Sequence, residues 1–347
     1  MRISKQSDFA KKPIAIDLFC GCGGLTLGLR KAGFKVVGAV ELDHLAAETY
    51  RKNHPSVHVW ESDIQKLDPA KIQKQLGLAE TNLSLLAGCP PCQGFSRLRT
   101  KNGAIITDDQ RNNLLFEFER FAKVFRPKVL MLENVPSLAD DHRFSIFLDK
   151  IDSLGYQGEY QILDAADFDV PQRRKRLIFL AGLYGCVPFA PPLVERRTVR
   201  DAIASLPQSG HSGDPLHDLR PVHIARVQNI IHNVPKDGGS RSSLPEEMWL
   251  NCHKKNKGGF KDVYGRMAWD RVAPTITSGC FNPSKGRFLH PEEDRAITLR
   301  EAAILQGFPK KYIFPADNRS AVGTMIGNAL PPPFITAHAK KIKEYLL

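Results

Sequence analysis

Short apolar runs closed by polar or glycine-bearing turns recur along the first half of the chain and alternate with stretches at helical spacing. Runs at Pro13–Phe19, Lys35–Val40, Val57–Trp60, Leu83–Ala87, Val129–Leu132, Tyr160–Leu163 and Leu177–Ala181 have the length and bounds of buried strands. Between them, helical periodicity predicts helices over Leu25–Ala32, with Gly33 as its C-cap, over Asn112–Phe125 and near His142–Leu154. Strands alternating with helices predict a doubly wound α/β sheet of the Rossmann-like kind. Between about residues 187 and 292 the periodicity lapses into Pro-, Gly- and Ser-rich chain, which predicts a second, smaller domain. Helical spacing returns at Arg295–Phe308 and again after Pro333. The expected organisation is 1–188 plus 320–347 as the main domain, 189–292 as the smaller one and 293–319 as a connecting segment.

Composition changes this picture little. The 347 residues are 42% hydrophobic and 25% charged, ordinary values for a folded chain of this size. The formal net charge of +12 favours an anionic partner, and 191–287 carries fifteen Lys and Arg against nine Asp and Glu. The loops at Gly238–Ser243 and Lys254–Gly259 look able to meet phosphates. No run approaches the length of a membrane span, and the polar start Met1-Arg-Ile-Ser-Lys is not expected to be a signal peptide. Seven cysteines, an odd number, suggest free thiols in a reducing compartment; the expected location is the cytoplasm.

Candidate chemistry begins at Asp17-Leu-Phe-Cys-Gly-Cys-Gly-Gly24, where a strand, a glycine turn and a helix bring backbone N–H groups toward a nucleotide-like ligand. Glu41 ends the second strand, where a carboxylate can accept hydrogen bonds from a ribose diol, and Asp63 follows the third, within reach of an adenine amino group. Thr26 stands where a dinucleotide fingerprint wants its third glycine, which argues against NAD and FAD. Glycines serving only a tight turn remain the plain alternative.

The loop Gly88-Cys89-Pro90-Pro91-Cys92-Gln93-Gly94-Phe95-Ser96 follows the fourth strand. Two prolines forbid helix there and stiffen the turn. The Cys89 and Cys92 pair invites a zinc reading, but structural zinc needs a second pair or histidines at short spacing, and no metal is expected. A thiol past a strand end can instead be a nucleophile, or silent. The polar stretch Arg97–Asp109 reads as a mobile lid. Glu133 closes the next strand, where partial burial would raise its pKa toward that of a proton donor. Alternation puts Arg174, Arg176 and Ile178 on one face of the segment that enters the last strand.

Taken together, these stretches resemble the cytosine-5 DNA methyltransferase family of the bacterial restriction-modification type. The glycine turn looks like its first, S-adenosylmethionine-binding motif, and Pro90-Pro-Cys92-Gln like its catalytic loop. Glu133-Asn-Val and Gln172-Arg-Arg174-Lys-Arg176 look like two further motifs. Asp109-x-Arg111-Asn, Arg300-Glu-Ala with Gln306-Gly-Phe-Pro, and Gly327-Asn328-Ala-Leu-Pro stand in family order. Cys20 and Cys22 depart from the Ala and Ile more usual in the turn. The likeness covers nearly the whole chain outside 190–265.

The resemblance implies an S-adenosylmethionine-dependent methyltransferase fold with a target-recognition domain at 189–292. It implies that Cys92 attacks carbon 6 of a flipped-out cytosine, Glu133 protonates ring nitrogen 3, Arg176 holds the exocyclic oxygen and orients Glu133, and Arg174 supports the flipped nucleotide and its phosphate. Phe19, Gly21 and Gly23 would surround the methionine part of the cofactor and Glu41 its ribose. Asp63 and Ile64 would meet the adenine, with Pro91, Leu114 and Asn328 closing the pocket; the product would be S-adenosylhomocysteine. Gln93, Ser96, Arg97, Arg174, Thr275 and Thr277 would contact duplex DNA. A monomer is expected, with a restriction endonuclease acting on the same site as a further partner. A tRNA cytosine-5 methyltransferase of the same chemistry and a catalytically silent DNA-binding relative remain open.

Overall fold

The computed structural model describes residues 12–91, 114–219, 223–255 and 262–347. Seven strands form one sheet: β1 Ile14–Leu18, β2 Lys35–Glu41, β3 His58–Glu61, β4 Leu85–Gly88, β5 Val129–Asn134, β6 Gln157–Asp164 and β7 Lys175–Gly182. Their order is β3-β2-β1-β4-β5-β7-β6. The first five run parallel, and β7 is antiparallel to both β5 and β6. The order reverses direction between β1 and β4, so their C-terminal ends open side by side where such sheets hold ligands.

Alternation along the strands feeds two layers. Ala15, Val129 and Met131 share a cluster with Leu25 and Leu29 of α1 (Gly24–Lys31) and with Phe334, Ile335 and Ile342 of the C-terminal helix Pro332–Leu346. Ile16, Leu18, Leu86 and Leu130 face the other way, onto Phe118, Phe121 and Phe125 of the helix Leu114–Phe125 and Phe144 and Phe147 of His142–Ser153. A third cluster joins Val199 and Ile203, Ala273 and Ile276, Leu299–Leu305, Phe308, Tyr312 and the helix Arg319–Asn328, and it includes Cys22 of the glycine turn. A small fourth one holds Ile230, Ile231, Tyr264 and Leu289. Among the described residues no helix is long and apolar enough to cross a membrane.

Several elements differ in extent from their sequence expectation. β6 runs eight residues rather than four because it pairs with β7 along its whole length. The helix expected over Arg295–Phe308 is confined to Leu299–Leu305. Thr298 and Glu301 form a reciprocal capping box that sets its start, and Gly307, at φ +93°, ends it.

Candidate active site

The glycine turn leaves β1 through a left-handed Phe19 (φ 61°), then Gly21 (φ 52°) and Gly23 (φ 98°). The amide of Gly21 donates to Glu41 Oε2 at 2.8 Å, and the amides of Leu42 and Asp43 donate to Oε1 at 2.9 and 2.8 Å. Burial pushes the Glu41 carboxyl up, and these three amides oppose that shift by favouring the carboxylate. A Cβ built on Gly21 would meet nothing within 4 Å, so that side of the turn is open.

Asp63 caps a 3-10 turn, accepting the Gln65 amide at 3.0 Å, and Ile64 is buried in the sheet's second layer. Leu114 packs partly buried against that same layer, as does Phe19. Asn328 lies exposed at the end of its helix. The chain just beyond it presses on the glycine turn: a Cβ on Gly24 would lie 2.6 Å from the Leu330 carbonyl.

Two strands along, Pro91 is the last described residue of its loop. Cys92, Gln93, Ser96 and Arg97, and the stretch expected to act as a lid, lie outside the described residues. The stem of the loop is tied down. Cys89 N donates to the Leu18 carbonyl at 3.2 Å, and Asn134 Nδ2 to the Pro90 carbonyl at 3.1 Å. Beside Asn134, Glu133 is 8% exposed, and its Oε1 sits 2.7 Å from Arg176 Nε. The sequence expected Glu133 at most half exposed, and the resemblance implied that Arg176 orients it; in the structure Glu133 is buried and the Arg176 guanidinium is paired with it. Burial, then the Glu133 charge, raise the Cys89 thiol well above its usual range, which keeps it protonated and a poor nucleophile.

Arg174, expected to support the flipped nucleotide and its phosphate, is buried in this structure. Its guanidinium is buried and turned inward, donating to the carbonyls of Ile276 at 3.2 Å and Gly327 at 2.9 Å. Desolvation, with Arg176 nearby, lowers its pKa to about 9. Arg174 Nε is left without a hydrogen-bond partner. Arg174 and Arg176 do share one region, but only Arg176 reaches Glu133.

The remaining predicted positions sit next to this seam. Gln172 is fully buried: its Nε2 donates to the Leu305 carbonyl at 3.0 Å and to Gln306 Oε1 at 2.5 Å, and its Oε1 accepts the Ile276 amide at 2.9 Å. Thr275 Oγ1 donates to the Arg173 carbonyl at 2.7 Å, and Thr277 is exposed. The Thr275–Thr277 segment is thus stitched to the strand that carries Arg176.

The model for the C-5 cytosine-specific DNA methylase family matches residues 14–344. The chain belongs to that family. It is a DNA (cytosine-5)-methyltransferase, an enzyme that moves a methyl group from a donor. Type II methylase M.HgiDII of Herpetosiphon aurantiacus is 39% identical, covering 95% of each chain. Type II methyltransferase M.Eco47II of Escherichia coli is 33% identical over 95% of this chain and 79% of its own. Among solved structures, a candidate DNA modification methyltransferase encoded within an E. coli prophage superposes with a TM-score of 0.75 at 24% identity, covering 96% of this chain and 99% of that one. S. pombe Dnmt2 does so with a TM-score of 0.63 at 19% identity, covering 97% and 99%. Both share the fold.

Several residues beside the candidate positions were not singled out individually by the sequence. Asp17 is fully buried in β1, accepts from Thr26 Oγ1 at 2.7 Å, and leaves Oδ1 without a hydrogen-bond partner. A carboxylate inside an apolar strand run was the available signal. Leu42 is 69% exposed beside Glu41; an apolar residue right after a strand-end carboxylate could have flagged it. Asn134 and Gln172 were visible only as members of their motifs.

Proposed function

We propose that this methylase transfers a methyl group from S-adenosylmethionine to carbon 5 of a cytosine flipped out of a specific duplex DNA sequence, through a covalent adduct to Cys92, and releases S-adenosylhomocysteine. The observation that carries the reading is the Glu133–Arg176 pair, 2.7 Å apart at the end of β5, beside the tethered loop stem that leads to Cys92.

The donor fits the residues present. Gly21 leaves open space where a side chain would otherwise intrude, and Glu41 has its carboxylate aligned by three backbone amides. Phe19, Gly21 and Gly23 would hold the methionine part, and Glu41 the ribose diol. The exposed Leu42 face and Asp63 would hold the adenine, with Pro91, Leu114 and Asn328 at the rim; Ile64, buried in the core, would take part through its backbone. When bound, S-adenosylmethionine supplies an electrophilic methyl group.

The chain's own residues prepare the acceptor. Carbon 5 of cytosine becomes nucleophilic once the Cys92 thiolate adds to carbon 6. Glu133 delivers a proton to ring nitrogen 3, and Arg176 holds both Glu133 and the exocyclic oxygen. Once carbon 5 carries the methyl group, its proton passes to solvent, the nitrogen-3 proton returns to Glu133, and the C6–S bond breaks to release Cys92 as the thiolate. None of this can reach a base stacked inside a duplex, so the base leaves the helix.

Residues 1–188 with 320–347 form the catalytic unit in this reading, 189–292 the target-recognition part and 293–319 the link between them. Thr275 and Thr277, with Gln93, Ser96 and Arg97 of the loop, would face DNA. Arg174 would act from behind them. The enzyme would work as a cytoplasmic monomer, paired with a restriction endonuclease of the same specificity. Incubating the purified chain with methyl-labelled S-adenosylmethionine and either mixed duplex DNA or tRNA tests the reading. Label on cytosine carbon 5 of DNA is expected; label on tRNA alone, or none, would defeat it.

A further inference from the structure

The glycine turn is open on one side and clamped on the other. The clamp comes from residues far away in sequence. The hydroxyl of Tyr312 donates to the Cys22 carbonyl at 2.6 Å, and His54 Nε2 lies 3.0 Å from the same hydroxyl. Arg30 Nη1 lies 3.2 Å from His54 Nδ1. A guanidinium can only donate, so Nδ1 accepts and the ring proton sits on Nε2. The hydrogen bonds therefore run one way, from Arg30 through His54 and Tyr312 to the Cys22 carbonyl. Burial, then Arg30, lower the His54 pKa to about 4, which keeps the ring in this neutral form at physiological pH.

The strand of chain that carries Tyr312 is itself fixed. Asn53, at the end of α2 (His44–Asn53), donates to the Ile313 carbonyl at 2.9 Å and accepts the Ile313 amide at 3.0 Å. Arg300 Nη1 donates to the Tyr312 carbonyl at 2.9 Å. Contact is close enough that a Cβ on Gly23 would lie 2.6 Å from His54 Nε2 and 2.8 Å from the Tyr312 hydroxyl. Cys22 and Gly23 follow directly on Gly21, whose amide is aimed at Glu41 and whose far side is free.

We propose that Tyr312 and His54 are positioning residues of the methyl-donor site, which hold the Cys22–Gly23 peptide so that the turn is already shaped before the donor binds. The inference rests on the reading of the glycine turn as that site. Without the hydroxyl, the turn loses the contact that fixes its carbonyl, and part of the binding free energy goes into ordering it.

The test is equilibrium binding of S-adenosylhomocysteine to the full chain by calorimetry, without turnover, alongside duplex DNA binding and thermal unfolding. Tyr312→Phe, which keeps the ring and removes the hydroxyl, should raise the Kd for S-adenosylhomocysteine about ten-fold, the weight of one buried hydrogen bond, with DNA affinity retained. His54→Leu should do the same. His54→Gln, which can offer an acceptor to Arg30 and a donor to Tyr312, should recover most of the affinity. Wild-type Kd in both Tyr312→Phe and His54→Leu, below their unfolding transitions, would overturn the proposal even if both variants melt earlier, because the pair would then be structural only. A wild-type chain that fails to bind S-adenosylhomocysteine would instead bring down the reading of the turn on which the proposal rests.

Discussion

Arg176 Nε lies 2.7 Å from Glu133 Oε1, and the antiparallel pairing of β5 with β7 puts them there. Glu133 stands opposite Ile178 in that register, two residues along from Arg176, so both side chains emerge at one end of the sheet. Had β7 run parallel to β5, Arg176, at its start, would have lain at the opposite end of the sheet.

Removing either partner should be severe. Glu133→Gln keeps the shape and loses the proton, and should cut kcat by about 10²–10⁴, the range for a general acid. Arg176→Met should cost at least as much, since it also leaves the buried Glu133 without its cation. Label incorporation under saturating DNA and donor gives both numbers. Near-normal turnover in Glu133→Gln would remove this residue from the chemistry.

Cys92 and Cys89 should part company. Cys92→Ala should abolish methylation and preserve DNA binding, whereas Cys89→Ala should keep turnover because its thiol is held protonated. A duplex carrying 5-fluorocytosine, whose fluorine cannot depart as a proton does, should trap wild-type protein covalently on a denaturing gel. Trapping should persist in Cys89→Ala and vanish in Cys92→Ala.

Arg174→Met should act on stability first. Two buried carbonyls, of Ile276 and Gly327, lose their donor, at about 1–3 kcal/mol for each group left unpaired. Denaturant unfolding should register the loss. An unchanged unfolding midpoint together with a shallower salt dependence of DNA binding would put the Arg174 head on a phosphate after all.

Asp17 should make stability depend on pH in a particular direction. Burial raises its carboxyl from 3.8 to about 7. Between those values the folded chain keeps a proton that the unfolded chain has released. Its contribution to stability is therefore full below about 3.8 and declines as pH rises through 7. Asp17→Asn cannot ionise, so wild-type stability minus that of the variant should fall from about pH 5 to about pH 8.5. Thermal unfolding at both pH values measures the gap, and a constant one would contradict the shift.

The strand-end chemistry was legible because local rules write it. An apolar run followed by Asp17–Gly24, Glu41 or Glu133 marks a buried strand delivering a polar group to the sheet's edge, whatever surrounds it. Arg174 was not legible. A basic run is ordinarily solvated, and only the packing of Ile276 and Gly327 around it turns one arginine inward and leaves its neighbour at the site. Asp63 and Ile64 follow the third strand, as expected, but which of their atoms stay free depends on a 3-10 cap and a core layer with no sequence signature.

By itself, the sequence determined the alternation of strands and helices, the glycine turn, the two carboxylates and the motifs in their order, because backbone sterics and burial act over a few residues. Tertiary structure alone decided that β7 runs antiparallel, that Arg174 turns inward onto the Ile276 and Gly327 carbonyls, and that Tyr312 closes on His54 from 258 positions away. Such meetings are set by how separate surfaces pack, and no local pattern of residues encodes which surfaces will meet.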